Sequence, residues 1–189
     1  GFATSSAGIA GYDSAYIEIV LGIFMLLFGV NFNLYHLLLF GKIRDVFKSE
    51  EVKVYLGIVA ASTIAISVNI LGQSASLGRA VRDSFFQVAS IITTTGFATV
   101  DFNFWPEFSK HTLVLLMIIG ACAGSTGGGF KVSRGLILVK AFFAEIRKII
   151  TPRAVITVRL DKKPVDMQTV NSTKIYAGAY LILICVFTW

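Results

Sequence analysis

The residues best placed to do chemistry in this chain are Thr93-Thr94-Thr95-Gly96-Phe97-Ala98-Thr99, a run of small hydroxyl side chains around one glycine. They follow an apolar helical stretch, 80–92, that falls short of the roughly 20 residues a bilayer-crossing helix needs. A half-length helix ending in Thr-Thr-Thr-Gly reads as a segment that enters a membrane and turns back. Irregular backbone at membrane depth persists only where protein buries it or where it lines a wet cavity. Carbonyl oxygens lining such a cavity replace the hydration shell of a cation. Neutral oxygens hold a monovalent ion without trapping it, so no carboxylate is required. Gly96 lacks a Cβ and can take a backbone conformation that other residues avoid. The C-terminal end of the half-helix carries roughly half a negative charge, which favours a cation in front of it. The stretch therefore reads as an ion-selectivity loop.

A second unusual stretch lies within 111–150, a segment with far more apolar residues than one crossing requires. Its middle is Gly120-Ala121-Cys122-Ala123-Gly124-Ser125-Thr126-Gly127-Gly128-Gly129. Each glycine costs a helix roughly 1 kcal/mol relative to alanine. The spacing predicts two helical pieces, 112–119 and 130–150, joined by an irregular intramembrane loop.

The rest of the chain must position these two stretches. It is 55% hydrophobic, with a mean hydropathy of +0.75, above the roughly 45–50% apolar share of soluble domains. It reads as an all-α integral membrane protein. The expected order is an outer loop over 1–15, a span over 16–40, and a cytoplasmic loop over 41–53. A second span follows over 54–72, then the half-helix and filter over 79–99. The broken span 111–150, a cytoplasmic loop over 151–172 and a last span over 173–189 complete it. Four Lys/Arg lie in 41–53 and six in 147–163, against three in 73–111. The positive-inside tendency puts the first two stretches in the cytoplasm and the Thr-Thr-Thr-Gly loop outside. The net charge of +6 is explained by orientation in the bilayer, without a nucleic-acid partner. Gly1-Phe2-Ala3-Thr4 opens without the basic flank and apolar core of a signal peptide.

That same tetrapeptide recurs as Gly96-Phe97-Ala98-Thr99. Each copy is followed by a polar and aromatic loop, a span and a basic stretch. The inferred repeat is span, re-entrant half-helix, filter turn, span. The sequence begins inside a filter and ends inside a span, so it reads as a fragment of a longer chain.

This repeat is the potassium-channel plan. Filter and repeat together resemble the superfamily of bacterial and fungal potassium transporters built from four such units. Within it, Gly120 to Val132 looks like the intramembrane loop of the bacterial TrkH proteins, and Arg134, Lys140, Glu145 and Thr151-Pro152-Arg153-Ala154-Val155 fit the same branch. The resemblance covers the end of repeat two, all of repeat three and the start of repeat four. Thr151 departs from it, standing where histidine is common.

The resemblance implies a potassium filter made by carbonyls of Thr94, Thr95 and Gly96, with Gly1 the matching glycine of repeat two. It implies a gate formed by Gly124, Ser125, Thr126, Gly127, Gly128 and Gly129. It further implies potassium as the ion carried, a homodimer, a cytosolic nucleotide-binding regulatory subunit meeting the basic loops, and a multi-pass place in the bacterial inner membrane.

Plainer readings stand beside these. Thr93 to Gly96 could be a turn that ends a buried helix. The glycine loop could be a close-packing site between helices. It is not a P-loop, because Gly129-Phe130-Lys131-Val132 lacks the Gly-Lys-Ser/Thr ending. Asp83 is expected to cap or charge the start of the half-helix. Lys131 and Arg134 are expected to be snorkelling anchors. Asn31, Asn33 and His36 are expected to hydrogen-bond between helices. Cys122 and Cys185 read as small buried hydrophobes. A polytopic enzyme would have to work from Glu18 and His36, which form no paired set, so the chain is not expected to be an enzyme. A packing subunit that conducts nothing is the third reading.

Overall fold

In a computed structural model, the described residues are 8–41, 46, 48–151, 157–161 and 163–188. Among the described residues, seven α-helices carry the fold: α1 Ala15–Phe28, α2 Phe32–Leu39, α3 Glu50–Ile70, α4 Leu77–Ile92, α5 Glu107–Ile119, α6 Val132–Ile150 and α7 Met167–Thr188. A two-stranded antiparallel hairpin, β1 Arg159–Leu160 and β2 Lys163–Pro164, departs from the expected all-α class. Among the described residues, two helical stretches are long and apolar enough to cross a membrane, Glu50–Gln73 and Met167–Phe187.

The expected single span over 16–40 is two helices. Between α1 and α2 the chain bends by 91°. Gly29 lies at this corner, where a Cβ would come 2.3 Å from the Tyr55 hydroxyl. Asn31 then caps α2, its side chain accepting from the Asn33 N–H at 2.9 Å. A helix end normally leaves carbonyls unsatisfied. Here Leu26 accepts from the Tyr55 hydroxyl at 3.3 Å and Leu27 from the Tyr35 hydroxyl at 2.6 Å. A sharp bend inside an apolar region persists because side chains re-satisfy the freed backbone in this way.

Helix α4 is the hub, packed against α1, α3 and α5. Its apolar positions feed two clusters. Val88, Ile91 and Ile92 join Tyr55, Val59, Ile66 and Leu116 in the larger, while Phe86 and Ala89 join Ile9 and Met25 in the smaller. Every residue from Phe86 to Thr93 is buried. Ser76 caps α4 by accepting from the Arg79 N–H at 3.2 Å. Asp83, expected at that cap, lies well inside the helix and pairs with Arg79 at 3.3 Å. The helix starts earlier than its composition suggests because Gly78 and Arg79 separate an exposed Leu77 from the apolar run that follows.

A third cluster joins Ile137 and Ala141 of α6 to Val170 of α7, under Leu160 of β1 and the residues flanking the hairpin, Val158 and Val165. Elsewhere, α7 presents large exposed apolar residues such as Ile175, Leu181, Ile182 and Phe187, a surface suited to lipid or to other helices.

Candidate functional site

Helix α4 ends in a turn fixed almost wholly by its own chain. The Thr94 N–H donates to the Ile91 carbonyl at 3.0 Å, and the Thr95 N–H to that of Ser90 at 2.9 Å. The Ser90 hydroxyl donates to the Phe97 carbonyl at 2.6 Å, and the Gln87 amide to that of Val100 at 3.2 Å. The Thr93 hydroxyl donates to Ala89 at 2.6 Å and lies 2.8 Å from that of Thr95. None of these bonds uses the carbonyl of Thr94 or Thr95. Thr94 (φ +57°) and Gly96 (φ +75°) both take left-handed backbone. For Gly96 that costs little, whereas a threonine is held there only by its surroundings. Thr94 and Gly96 are exposed, while Thr93 is buried.

The glycine-rich segment is a non-helical stretch between α5 and α6. Gly120 ends α5 with φ +72°, and a Cβ there would meet the Gly128 carbonyl oxygen at 2.3 Å. The Phe130 and Lys131 N–H groups return to the Ile118 and Ile119 carbonyls at 3.0 and 2.8 Å, so the loop closes on the end of the helix it left.

Among the described residues, hydrogen bonds tie this loop to three other parts of the fold, and Phe130 also packs on Tyr176 and Tyr180 of α7. The Gly128 N–H donates to the Thr94 hydroxyl at 2.7 Å, and a Cβ on Gly127 would lie 3.2 Å from the Thr93 carbonyl oxygen. The bend between α1 and α2 meets it edge to edge. The Cys122 N–H donates to Gly29 at 3.0 Å, the Thr126 N–H to Phe28 at 3.4 Å, and the Phe32 N–H to Gly124 at 3.0 Å. From α3, one carboxylate oxygen of Glu51 accepts from the Ala123 N–H at 2.6 Å and the Ser133 N–H at 3.2 Å. Ser125 binds within the loop, its hydroxyl donating to the Cys122 carbonyl at 2.6 Å.

Of the residues singled out from sequence, Gly1 lies outside the described residues. Thr94 and Gly128 meet directly. Lys131 is no snorkelling anchor: its ammonium turns inward and donates to the Gly127 carbonyl. It also takes φ +82°, a left-handed position filled by a non-glycine residue. Arg134 donates to the Phe130 carbonyl at 3.3 Å and lies 4.2 Å from the centre of the Tyr176 ring. Asn31 sits at the bend beside Gly124, whereas Asn33 is exposed and the His36 ring lies tilted against Phe40 with centres 4.5 Å apart. Cys122 is buried as expected, but Cys185 is exposed. Ser90, Gln87 and Glu51 also hold the site, and their residue types alone do not mark them. A buried carboxylate next to Glu50 and Lys53 reads as one more charge of a polar loop, with only the apolar run after it as a signal.

The descriptive family model for TrkH, a cation transport protein, matches residues 58–189. The chain belongs to the TrkH family of cation transport proteins. Curated TrkH-family relatives include the Trk system potassium uptake proteins TrkH and TrkG of Escherichia coli (strain K12). Each is 32% identical, over 98% and 99% of this chain and 39% of its own length. An uncharacterized cation transporter of Methanocaldococcus jannaschii is 30% identical over 96% of this chain and 37% of its own. The crystal structure of the potassium transporter TrkH from Vibrio parahaemolyticus superposes with a TM-score of 0.87 at 31% identity, covering 98% of this chain and 41% of that one. The chain thus spans about two fifths of the length of the TrkH relatives it matches. TrkH-family membership and the apolar helices make it a multi-pass protein of the inner membrane.

Proposed function

We propose that this chain is part of a potassium-uptake transporter, contributing one carbonyl filter and a barrier packed against it. The observation that carries this reading is the Gly128 N–H held on the Thr94 hydroxyl at 2.7 Å. That contact supports the reading because it brings the glycine-rich stretch against the turn at the C-terminal end of α4, the end that carries partial negative charge. Carbonyls of Thr94, Thr95 and Gly96 supply neutral oxygens to potassium, and Gly1 supplies its counterpart from the preceding repeat. Gly124 to Gly129 form the movable barrier. Relatives named for potassium uptake support potassium as the substrate.

The repeat of span, half-helix, filter and span organises the chain, with its basic stretches in the cytoplasm. Lys148, Arg159 and Lys163 there suit a nucleotide-binding regulatory subunit, since the relatives belong to a Trk system. The working assembly is a homodimer in the lipid bilayer. An enzyme reading is disfavoured by the relatives, which are transport proteins, and by Glu18, which is tied up with Arg82 at 2.8 Å.

The reading is tested by ion flux into liposomes containing the complete protein. Potassium flux well above sodium flux is expected. Absence of flux from protein that is folded and correctly inserted overturns it.

A further inference from the structure

Glu51 is a buried acid, 6% exposed, at the start of a helix that otherwise runs through apolar surroundings. Burying a charge there is unfavourable unless hydrogen bonds compensate it. Its Oε1 collects two backbone N–H groups, one before the run Gly124–Gly129 and one after it. Ala123 lies early in the loop, while Ser133 belongs to the first turn of α6. One oxygen therefore clasps the loop at its base. The loop's bonds to Gly29, Phe28 and Thr94 are all between neutral groups. Bonds to a carboxylate are roughly twice as strong as neutral ones.

The clasp itself is anchored. The backbone N–H of the neighbouring Glu50 donates to the Asp161 carboxylate at 2.6 Å, and the Glu50 carboxylate pairs with Lys140 of α6. Lys140 in turn donates to the Arg159 carbonyl in β1 at 2.8 Å. The first turn of α3 is thus fixed to the hairpin on one side and to the loop on the other.

We infer that Glu51 is a positioning residue that latches the glycine-rich loop in the conformation where Gly128 reaches Thr94. This inference rests on reading that loop as the movable barrier. Satisfying the first turn of α6 would need only the Ser133 contact. The shorter bond goes to Ala123, which is outside α6, and that contact ties the loop to α3.

The test uses the complete protein in liposomes, comparing wild type with Glu51→Gln and Glu51→Ala. Two quantities are read per folded molecule. One is potassium flux. The other is the rate at which Cys122, buried in the loop, reacts with a polar thiol reagent, other cysteines including Cys185 being replaced by serine. Loss of two charge-assisted bonds in Glu51→Ala is expected to raise both by roughly tenfold, with the potassium-to-sodium ratio unchanged. Glu51→Gln keeps an acceptor without the charge and falls between. Wild-type values of both quantities in the variants, even with a lower folded yield, overturn the latch. If Glu51→Ala does not fold, Glu51→Gln alone decides by the same criterion. If the wild type conducts no potassium, the transport reading fails, and Cys122 reactivity still decides whether Glu51 holds the loop.

Discussion

The Thr94 hydroxyl accepts the Gly128 N–H at 2.7 Å, joining the turn after α4 to the loop between α5 and α6. Thr94 is the residue of that turn held with left-handed backbone despite its side chain. A threonine here can reach the loop, and glycine at 128 leaves room for it, since a Cβ there would sit 3.3 Å from the Thr94 side chain.

Thr94→Val keeps the shape and deletes the acceptor. Gly128 is exposed, so its N–H can turn to water and the loss is modest, about 0.5–1.5 kcal/mol. If the contact holds a closed barrier, potassium flux rises several-fold in Thr94→Val and stays at the wild-type level in Thr94→Ser.

Ser90 supports the same turn from behind. It is fully buried, its hydroxyl donates to the Phe97 carbonyl, and its carbonyl accepts from the Thr95 N–H. Ser90→Ala strands the Phe97 carbonyl at a cost of roughly 1–3 kcal/mol. A lower unfolding temperature in detergent and a reduced potassium-to-sodium flux ratio are expected together. A change in stability alone would mean that Ser90 does not shape the ion path.

The glycines divide sharply by surroundings. Gly120→Ala would put a Cβ 2.3 Å from the Gly128 carbonyl oxygen and 2.9 Å from the Gly129 Cα, with φ +72° as well. Backbone cannot yield as a side chain can, so a loss of roughly 2–4 kcal/mol is expected. Gly57, inside α3 with open space around it, is the control. Gly57→Ala is expected to stabilise by up to about 1 kcal/mol. Thermal unfolding of the two variants should therefore move in opposite directions.

Local composition and tertiary placement were not equally legible. The helix break after Ile119 could be read because three successive glycines defeat a helix wherever they stand. The turn after Ile92 could be read because hydroxyl residues and glycine interrupt a long apolar run. The bend at Gly29 was hidden. One glycine and one asparagine in an apolar stretch are compatible with a straight span, and what stabilises the bend is Tyr55, Thr126 and Cys122 from distant segments. Glu51 was hidden for the same reason, since its partners lie 72 and 82 residues away. The inward turn of Lys131 depends on a left-handed backbone that its residue type does not announce.

At the far end of α4, Arg82 Nε lies 2.8 Å from Glu18 Oε2, an ion pair by distance without hydrogen-bond alignment. Glu18 belongs to α1, so the pair joins two helices of the hub. Arg82→Ala leaves a buried carboxylate uncompensated and is expected to cost about 3–5 kcal/mol. The double replacement Glu18→Leu with Arg82→Met removes both charges and should recover most of that loss. Unfolding in detergent distinguishes them, and equal losses in both would show that packing, not charge, fixes this contact.

We propose the turn from Thr94 to Gly96 as part of the potassium path. Potassium and sodium flux in liposomes carrying the complete protein, wild type against Gly96→Ser, decides whether it is. Serine strains a position with φ +75° and alters the carbonyls on either side of it. Potassium-selective flux is expected in the wild type and relaxed selectivity in the variant. Unchanged selectivity in a folded variant would take this turn out of the ion path.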